Sequence, residues 1–213
     1  MRFTREKRRW LHYLFAENFG MMCVDMTNDI KQKNAVEEAK KQSEQLLLQI
    51  LPKDIIMRLN RGDANISFTV QSSTIAFIDI EKFSNYSASL RASEIMQNLG
   101  LVFTAYDQLL AKYSLIIKIK LIGDNYMLAA GLFNPDVEPS KHATQVISFT
   151  LECLDAIEDL NEQMNSLLQV RIGVNSGGPL IAGVLGSDKP LFDIFGDPIT
   201  CSHDVILSFL FPN

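Results

Sequence analysis

The run Thr74–Ile80 places the tightest condition on how this chain can fold. It is β-branched and aromatic, which predicts a strand. It is apolar on both sides of one carboxylate: Ile75, Ala76, Phe77 and Ile78 precede Asp79, and Ile80 follows. A lone carboxylate in such a strand is costly unless it has a partner or faces a cleft. Any acceptable fold must therefore bring a partner to Asp79 or open a site beside it.

The elements around that strand form a regular order. Ile66–Val70 predicts a further strand before it. Ser93 is a candidate N-cap for a helix with apolar residues at Ile95, Met96, Leu99, Val102, Phe103, Tyr106, Leu109 and Leu110. Leu115–Ile122 and Tyr126–Leu132 flank Gly123-Asp124-Asn125 as a β-hairpin. A long helix is expected from about Ser140 to Leu167, with Ala143, Val146, Ile147, Leu154, Ile157 and Leu160 on one face. Val170–Asn175 and Leu180–Leu185, joined by Ser176-Gly177-Gly178-Pro179, predict a second hairpin, and Lys189–Phe195 one more strand. The result is an α+β, ferredoxin-like βαββαβ core, an antiparallel-rich sheet with helices packed on it. An N-terminal helical extension precedes it. Lys31–Leu51 carries Val36, Ala39, Ser43, Leu46 and Ile50 at heptad spacing, which suits either a short parallel coiled coil or a single amphipathic linker helix. Pro52 ends it.

Composition narrows the function. A net charge of -5 argues against nucleic-acid binding, since the only basic cluster is Arg2, Arg5, Lys7, Arg8 and Arg9 at the start. Three scattered cysteines and three scattered histidines fit free thiols in a reducing, cytoplasmic compartment and no zinc site. No apolar run reaches the ~18 residues of a membrane span, and no secretory signal is evident.

Asp124 at a hairpin tip is unremarkable alone, because turns favour aspartate. In a βαββ arrangement, however, the Asp79 strand can lie beside that hairpin and bring both carboxylates to one edge. Two carboxylates with backbone oxygen suit Mg²⁺ or Mn²⁺, which also take phosphates as ligands. The segment Glu81-Lys82-Phe83-Ser84 reads as a turn whose N–H groups can cradle a polyphosphate. Lys118 and Lys120, two apart, are expected on one face of their strand.

Four ordered stretches then resemble one family. Phe77-Ile78-Asp79-Ile80-Glu81-Lys82-Phe83-Ser84 is similar to the first metal motif of class III nucleotidyl cyclases, and Lys118–Met127 to the family's second metal hairpin. Arg171–Gly177 with Ala182–Gly186 resembles its paired core strands, and Phe192–Asp197 its purine-binding strand. The resemblance implies conversion of a nucleoside triphosphate to a 3′,5′-cyclic nucleotide and pyrophosphate by two-metal catalysis. It implies Asp79, Asp124 and the Ile80 carbonyl as ligands of two Mg²⁺ or Mn²⁺ ions, with Phe83 and Ser84 near the nucleotide. Lys120 and Asp193 map onto the Lys and Asp that read adenine, so ATP is preferred over GTP. It also implies a homodimer, or a heterodimer with another cyclase domain. By the same resemblance, residues 1–30 look like the end of a PAS-type sensor, residues 31–62 like signalling and linker helices, and residues 63–213 like the catalytic domain. A longer parent, with a membrane or sensor region upstream, would put the chain at the cytosolic face of a membrane.

The pattern departs from the family after Ile199. The helix there normally carries an Asn and, four residues later, an Arg, on one face toward the ribose and α-phosphate. Here those positions are Thr200 and Asp204. Further family elements, including a phosphate-binding lysine, do not appear before Asn213. A truncated or frame-shifted cyclase is the expectation; a degenerate cyclase that serves as the regulatory or metal-donating half of a heterodimer is the alternative.

Overall fold

The computed structural model describes residues 30–208 apart from 44, 49, 64 and 187, with side chains from 203 onward outside that description. The PAS-like reading of residues 1–30 therefore falls almost wholly outside the described residues. Two compact units are present, residues 1–50 and Leu51–Asn213. In the first, residues 30–43 and 45–48 are helical (α1), and Val36, Leu46 and Ile50 of the heptad series are exposed.

The second unit begins at Leu51. Helix α2 (Lys53–Asn60) follows Pro52 and buries Ile55 and Ile56, which together with Leu51 form part of the main core. Then come β1 (Ser67–Val70), β2 (Ser73–Ile80), a short α3 (Phe83–Ser87), α4 (Ala92–Leu110), β3 (Ile116–Ile122), β4 (Asn125–Ala130), α5 (Pro139–Met164), β5 (Val170–Gly177), β6 (Leu180–Leu185), β7 (Leu191–Phe195) and α6 (Asp197–Ser208).

Strands β3-β4-β2-β5 form one sheet in that order, every pair antiparallel. With α4 and α5 as the crossovers, this is the ferredoxin-like order expected. Strand β2 is central and buried at all eight positions. Its even-numbered residues Ala76, Ile78 and Ile80 pack with Val102 and Tyr106 of α4 and Val146, Phe149 and Ile157 of α5. Its odd-numbered Ile75 and Phe77 pack with Leu51, Ile55 and Ile56 and with Leu180, Phe192 and Ile194 of a second sheet. Full burial of each large apolar side chain contributes roughly 1.5–3 kcal/mol, so β2 anchors both cores.

Three expectations are corrected. The second hairpin does not form: β5 stays in the four-stranded sheet, while β6 joins β1 and β7 in a separate three-stranded sheet of order β1-β6-β7. The Gly-Pro turn is a crossing between sheets, tight enough that a Cβ on Gly178 would lie 2.0 Å from the Gln71 carbonyl oxygen. Ser93 does not cap α4. Arg91 does, because the Glu94 carboxylate accepts a bond from the Arg91 backbone N–H at 2.8 Å. The buried stripe of α5 runs through His142, Val146, Phe149, Cys153, Ile157 and Leu160, whereas Ile147 and Leu154 are exposed. Pro139 starts this helix and Asn165, at φ 48°, ends it.

Candidate functional site

The partner that Asp79 requires is Arg171. Register pairs Asp79 with Asn125 on one side and with Arg171 on the other. The Arg171 guanidinium donates through Nε to Asp79 Oδ2 at 2.7 Å, and Nη2 donates to the same oxygen. Asp79 is only 9% exposed. The third guanidinium nitrogen, Arg171 Nη1, is buried with no partner among the described residues. Nothing local in the sequence marks this pair, whose members lie 92 residues apart. The available signal was an arginine in an otherwise apolar strand, Val170–Val174.

Asp124 arrives beside them through the hairpin. Ile122 pairs with Asn125, leaving Gly123 and Asp124 as a two-residue turn. Gly123 has φ 64°, a value natural for glycine at the first turn position. Burial pushes the Asp124 carboxyl above its ordinary range and the Asp79 charge pushes it further, against its own backbone hydrogen bond and the Arg171 charge. Asp79, Asp124 and Arg171 thus share one electrostatic neighbourhood, as the sequence predicted for the two carboxylates.

These donors fit a divalent cation. The Asp124 carboxylate, disfavoured by burial and by the Asp79 charge, gains from a shared positive ion, and the Ile80 carbonyl ends the same strand. No group of three or more His, Cys, Asp or Glu side chains that could hold a metal occurs among the described residues. Any ion here would complete its shell with backbone oxygen, water or substrate phosphate, as Mg²⁺ commonly does.

Lys120 and Asp193, both assigned to the purine by resemblance, lie in direct contact. Lys120 Nζ donates to Asp193 Oδ2 at 2.6 Å, and Asp193 Oδ1 accepts from the Ile194 N–H at 2.9 Å. Asp193 is 6% exposed. Lys118 does not share the face of Lys120. The register shifts between them, Lys118 opposite Leu128 and Lys120 opposite Met127, so Ile119 is a bulge. Lys118 instead reaches Asp107 on α4.

Phe83 and Ser84 lie on the short helix α3, entered through Lys82 at φ 53°, not in an open turn. The Phe83 ring packs toward Tyr86 at 6.2 Å and against the α4–α5 core, while Ser84 is exposed. Thr200 is exposed on α6, and the Asp204 side chain lies outside the described residues. Helix α6 is tied to the sheet by Asn175 Nδ2, which donates to the Pro198 carbonyl at 3.1 Å, and by Ser202 Oγ, which donates to the Ile75 carbonyl at 3.4 Å. No hydrogen bond or ion pair among the described residues joins Lys120–Asp193 to Asp79 or Asp124.

Comparison with known proteins adds the following. Residues 67–205 match the model of the adenylate and guanylate cyclase catalytic domain. The chain is 33% identical over 171 residues to guanylate cyclase 32E of Drosophila melanogaster, covering 79% of this chain and 14% of that protein. It is 32% identical over 172 residues to the germination-specific adenylate cyclase of Dictyostelium discoideum, covering 79% of this chain and 20% of that protein. The chain thus spans at most a fifth of the length of these curated relatives. Among solved structures, the catalytic core of a rhodopsin-guanylyl cyclase with converted specificity, in complex with ATPαS, aligns with a TM-score of 0.60 and 30% identity. That alignment covers 67% of this chain and 74% of that one.

Proposed function

The chain belongs to the adenylate and guanylate cyclase catalytic domain family, and on that premise we propose that it binds ATP with two Mg²⁺ or Mn²⁺ ions and forms cyclic AMP and pyrophosphate. The observation that carries the choice of ATP is the Lys120–Asp193 contact at 2.6 Å. An ammonium donor and a carboxylate acceptor held together match the ring nitrogen and the amino group of adenine. Guanine presents a carbonyl oxygen in place of that amino group, and Asp193 would face it without a hydrogen bond.

Asp79 and Asp124, with the Ile80 carbonyl, would hold the ions. When bound, the ions would supply Lewis-acid assistance to the 3′-hydroxyl attack and would neutralise the phosphates. Both Arg171 bonds go to Asp79 Oδ2, which leaves Oδ1 to face an ion. Arg171 Nη1, without a partner among the described residues, is available to a phosphate oxygen. Helix α6 offers Thr200 and Asp204 where the family's ribose and α-phosphate donors stand. A missing preorganised donor typically costs ~3–4 kcal/mol, and a carboxylate near a polyanion adds repulsion. Turnover by a homodimer is therefore slow.

That departure favours a second reading, in which this chain donates its Asp79–Asp124 half to a heterodimer with an intact cyclase domain. Dimerisation of either kind is supported by an apolar outer face on the second sheet. Ile181 opposes Phe195 and Leu185 opposes Leu191, all exposed. The exposed heptad positions of α1 suit the same purpose. No helix among the described residues is long and apolar enough to cross a membrane. We place the domain on the cytosolic side, where ATP is found and where the exposed thiol of Cys201 stays reduced.

The test is Mn²⁺-dependent cyclic AMP formation from ATP against an Asp79→Ala control. Product above the control supports the cyclase reading. No product above it, together with rescue of an intact cyclase that lacks its own metal aspartates, supports the half-site reading. Neither product nor rescue overturns both.

A further inference from the structure

Strand β3 belongs to two layers at once. Upstream of the bulge, Lys118 faces α4. Its Nζ donates to Asp107 Oδ1 and Oδ2 at 2.9 and 2.8 Å and sits 5.0 Å above the Tyr126 ring. The Tyr126 hydroxyl donates to the same carboxylate at 2.6 Å. Asp107 thereby gathers three bonds from two neighbouring strands. The Tyr126 ring is itself held edge-on by Tyr106 at 5.5 Å and is fully buried. Ile119 at the bulge packs on the opposite core, and downstream of it Lys120 reaches β7 of the second sheet.

In a regular strand Lys118 and Lys120 would share a face. The lysines on either side of the bulge are pinned to opposite layers, Lys118 to α4 and Lys120 to β7, and a bulge bends its strand and re-aims the side chains beside it. The upstream pin is Lys118. Without it, the residues at the bulge are freer to slip by one toward regular pairing with β4, although farther upstream the Leu115 N–H still donates to Gln145 Oε1 at 3.2 Å. Such a slip straightens the strand and draws Lys120 away from Asp193.

We propose that Lys118 and Asp107 are positioning residues for purine selectivity: their ion pair under Tyr126 fixes the bulge at Ile119 that presents Lys120 to Asp193. This rests on the reading of Lys120 and Asp193 as the base-recognising pair. Lys118 and Asp107 satisfy one another on the α4 side of β3, so neither is assigned a contact with the base. The pair is partly solvent-exposed, with side chains 29% and 47% exposed, and such pairs add little to stability. Variants at these positions are therefore expected to fold.

The experiment measures binding of mant-ATP and mant-GTP in Mn²⁺ to the full chain and to K118M, D107N, K118R and K120M, together with a crystal structure of K118M. The ATP:GTP affinity ratio should fall about tenfold in K118M and D107N, the worth of one hydrogen bond to a charged group. K118R should restore it. A merely structural role would weaken both nucleotides alike and leave the ratio unchanged. In the K118M crystal, Lys120 should leave Asp193. A changed ratio in K120M but an unchanged one in K118M and D107N overturns the positioning role, as does a Lys120–Asp193 hydrogen bond retained in the K118M crystal. An unchanged ratio in K120M instead overturns the base-recognition reading beneath it.

Discussion

The two ends of the candidate site are built to different standards. The Asp79 end sits on β2, buried at every position and flanked on both sides by paired strands. The other end, from Asp193 through Thr200, runs along a five-residue edge strand and the exposed side of α6. Substitutions on β2 disturb two cores together, whereas Thr200 faces solvent and can change at almost no cost to folding. Exposed Thr200 is thus a position where another residue is compatible with an intact fold.

Four measurements would break or sharpen that contrast. The largest effect is expected from Asp79→Ala, which should abolish Mn²⁺ binding by calorimetry, while Thr200→Ala leaves it unchanged. Equal loss in both variants would erase the distinction between the two ends. Next, Thr200→Asn combined with Asp204→Arg should raise cyclic AMP formation roughly 10²–10³-fold with an unchanged unfolding temperature. A gain in stability without a gain in rate would place the defect elsewhere. Third, Arg171→Gln leaves the Asp79 carboxylate buried without its counter-charge. It should cost about 3 kcal/mol in urea unfolding of the metal-free protein, and less when Mn²⁺ takes the place of the guanidinium.

The smallest effect concerns Asp124. Its folded-state value is raised above the ordinary 3.8 by burial and by Asp79. The stability that its protonated form contributes is therefore fully present below 3.8 and lost as pH rises through the folded value. At neutral pH the metal-free wild type carries that penalty, and Asp124→Asn should be the more stable of the two. The difference should vanish in acid, and saturating Mn²⁺ should reverse its sign. A pH-independent difference between the two proteins would remove Asp124 from the shared electrostatic neighbourhood.

What the sequence made legible was local. The composition of β2, the Gly123-Asp124 turn and the alternation of strands with long helices were all readable in advance; the resemblance singled out Lys120 and Asp193 but not their contact. What it hid was non-local. Arg171 opposes Asp79 only through strand register. The partner of β6 is β1, more than 100 residues earlier, so a Ser-Gly-Gly-Pro linker that reads as a hairpin turn is a passage between sheets. The bulge at Ile119 breaks the two-residue period on which the common face of the two lysines rested. Ile147 and Leu154 were assigned to the buried face of α5 by apolar character, but Phe149 and Cys153 occupy it.

The central place of β2 also has a consequence during synthesis. Asp79 cannot meet Arg171 until another 92 residues have been made, about 5–20 s at ordinary elongation rates. Until β4 (Asn125–Ala130) follows, Ser73–Ile80 is an unpaired, aggregation-competent segment with a single charge near its end. A charge within such a run is the kind of gatekeeper that discourages pairing with another copy of the same segment, so the Asp79 carboxylate protects β2 before Arg171 exists to neutralise it.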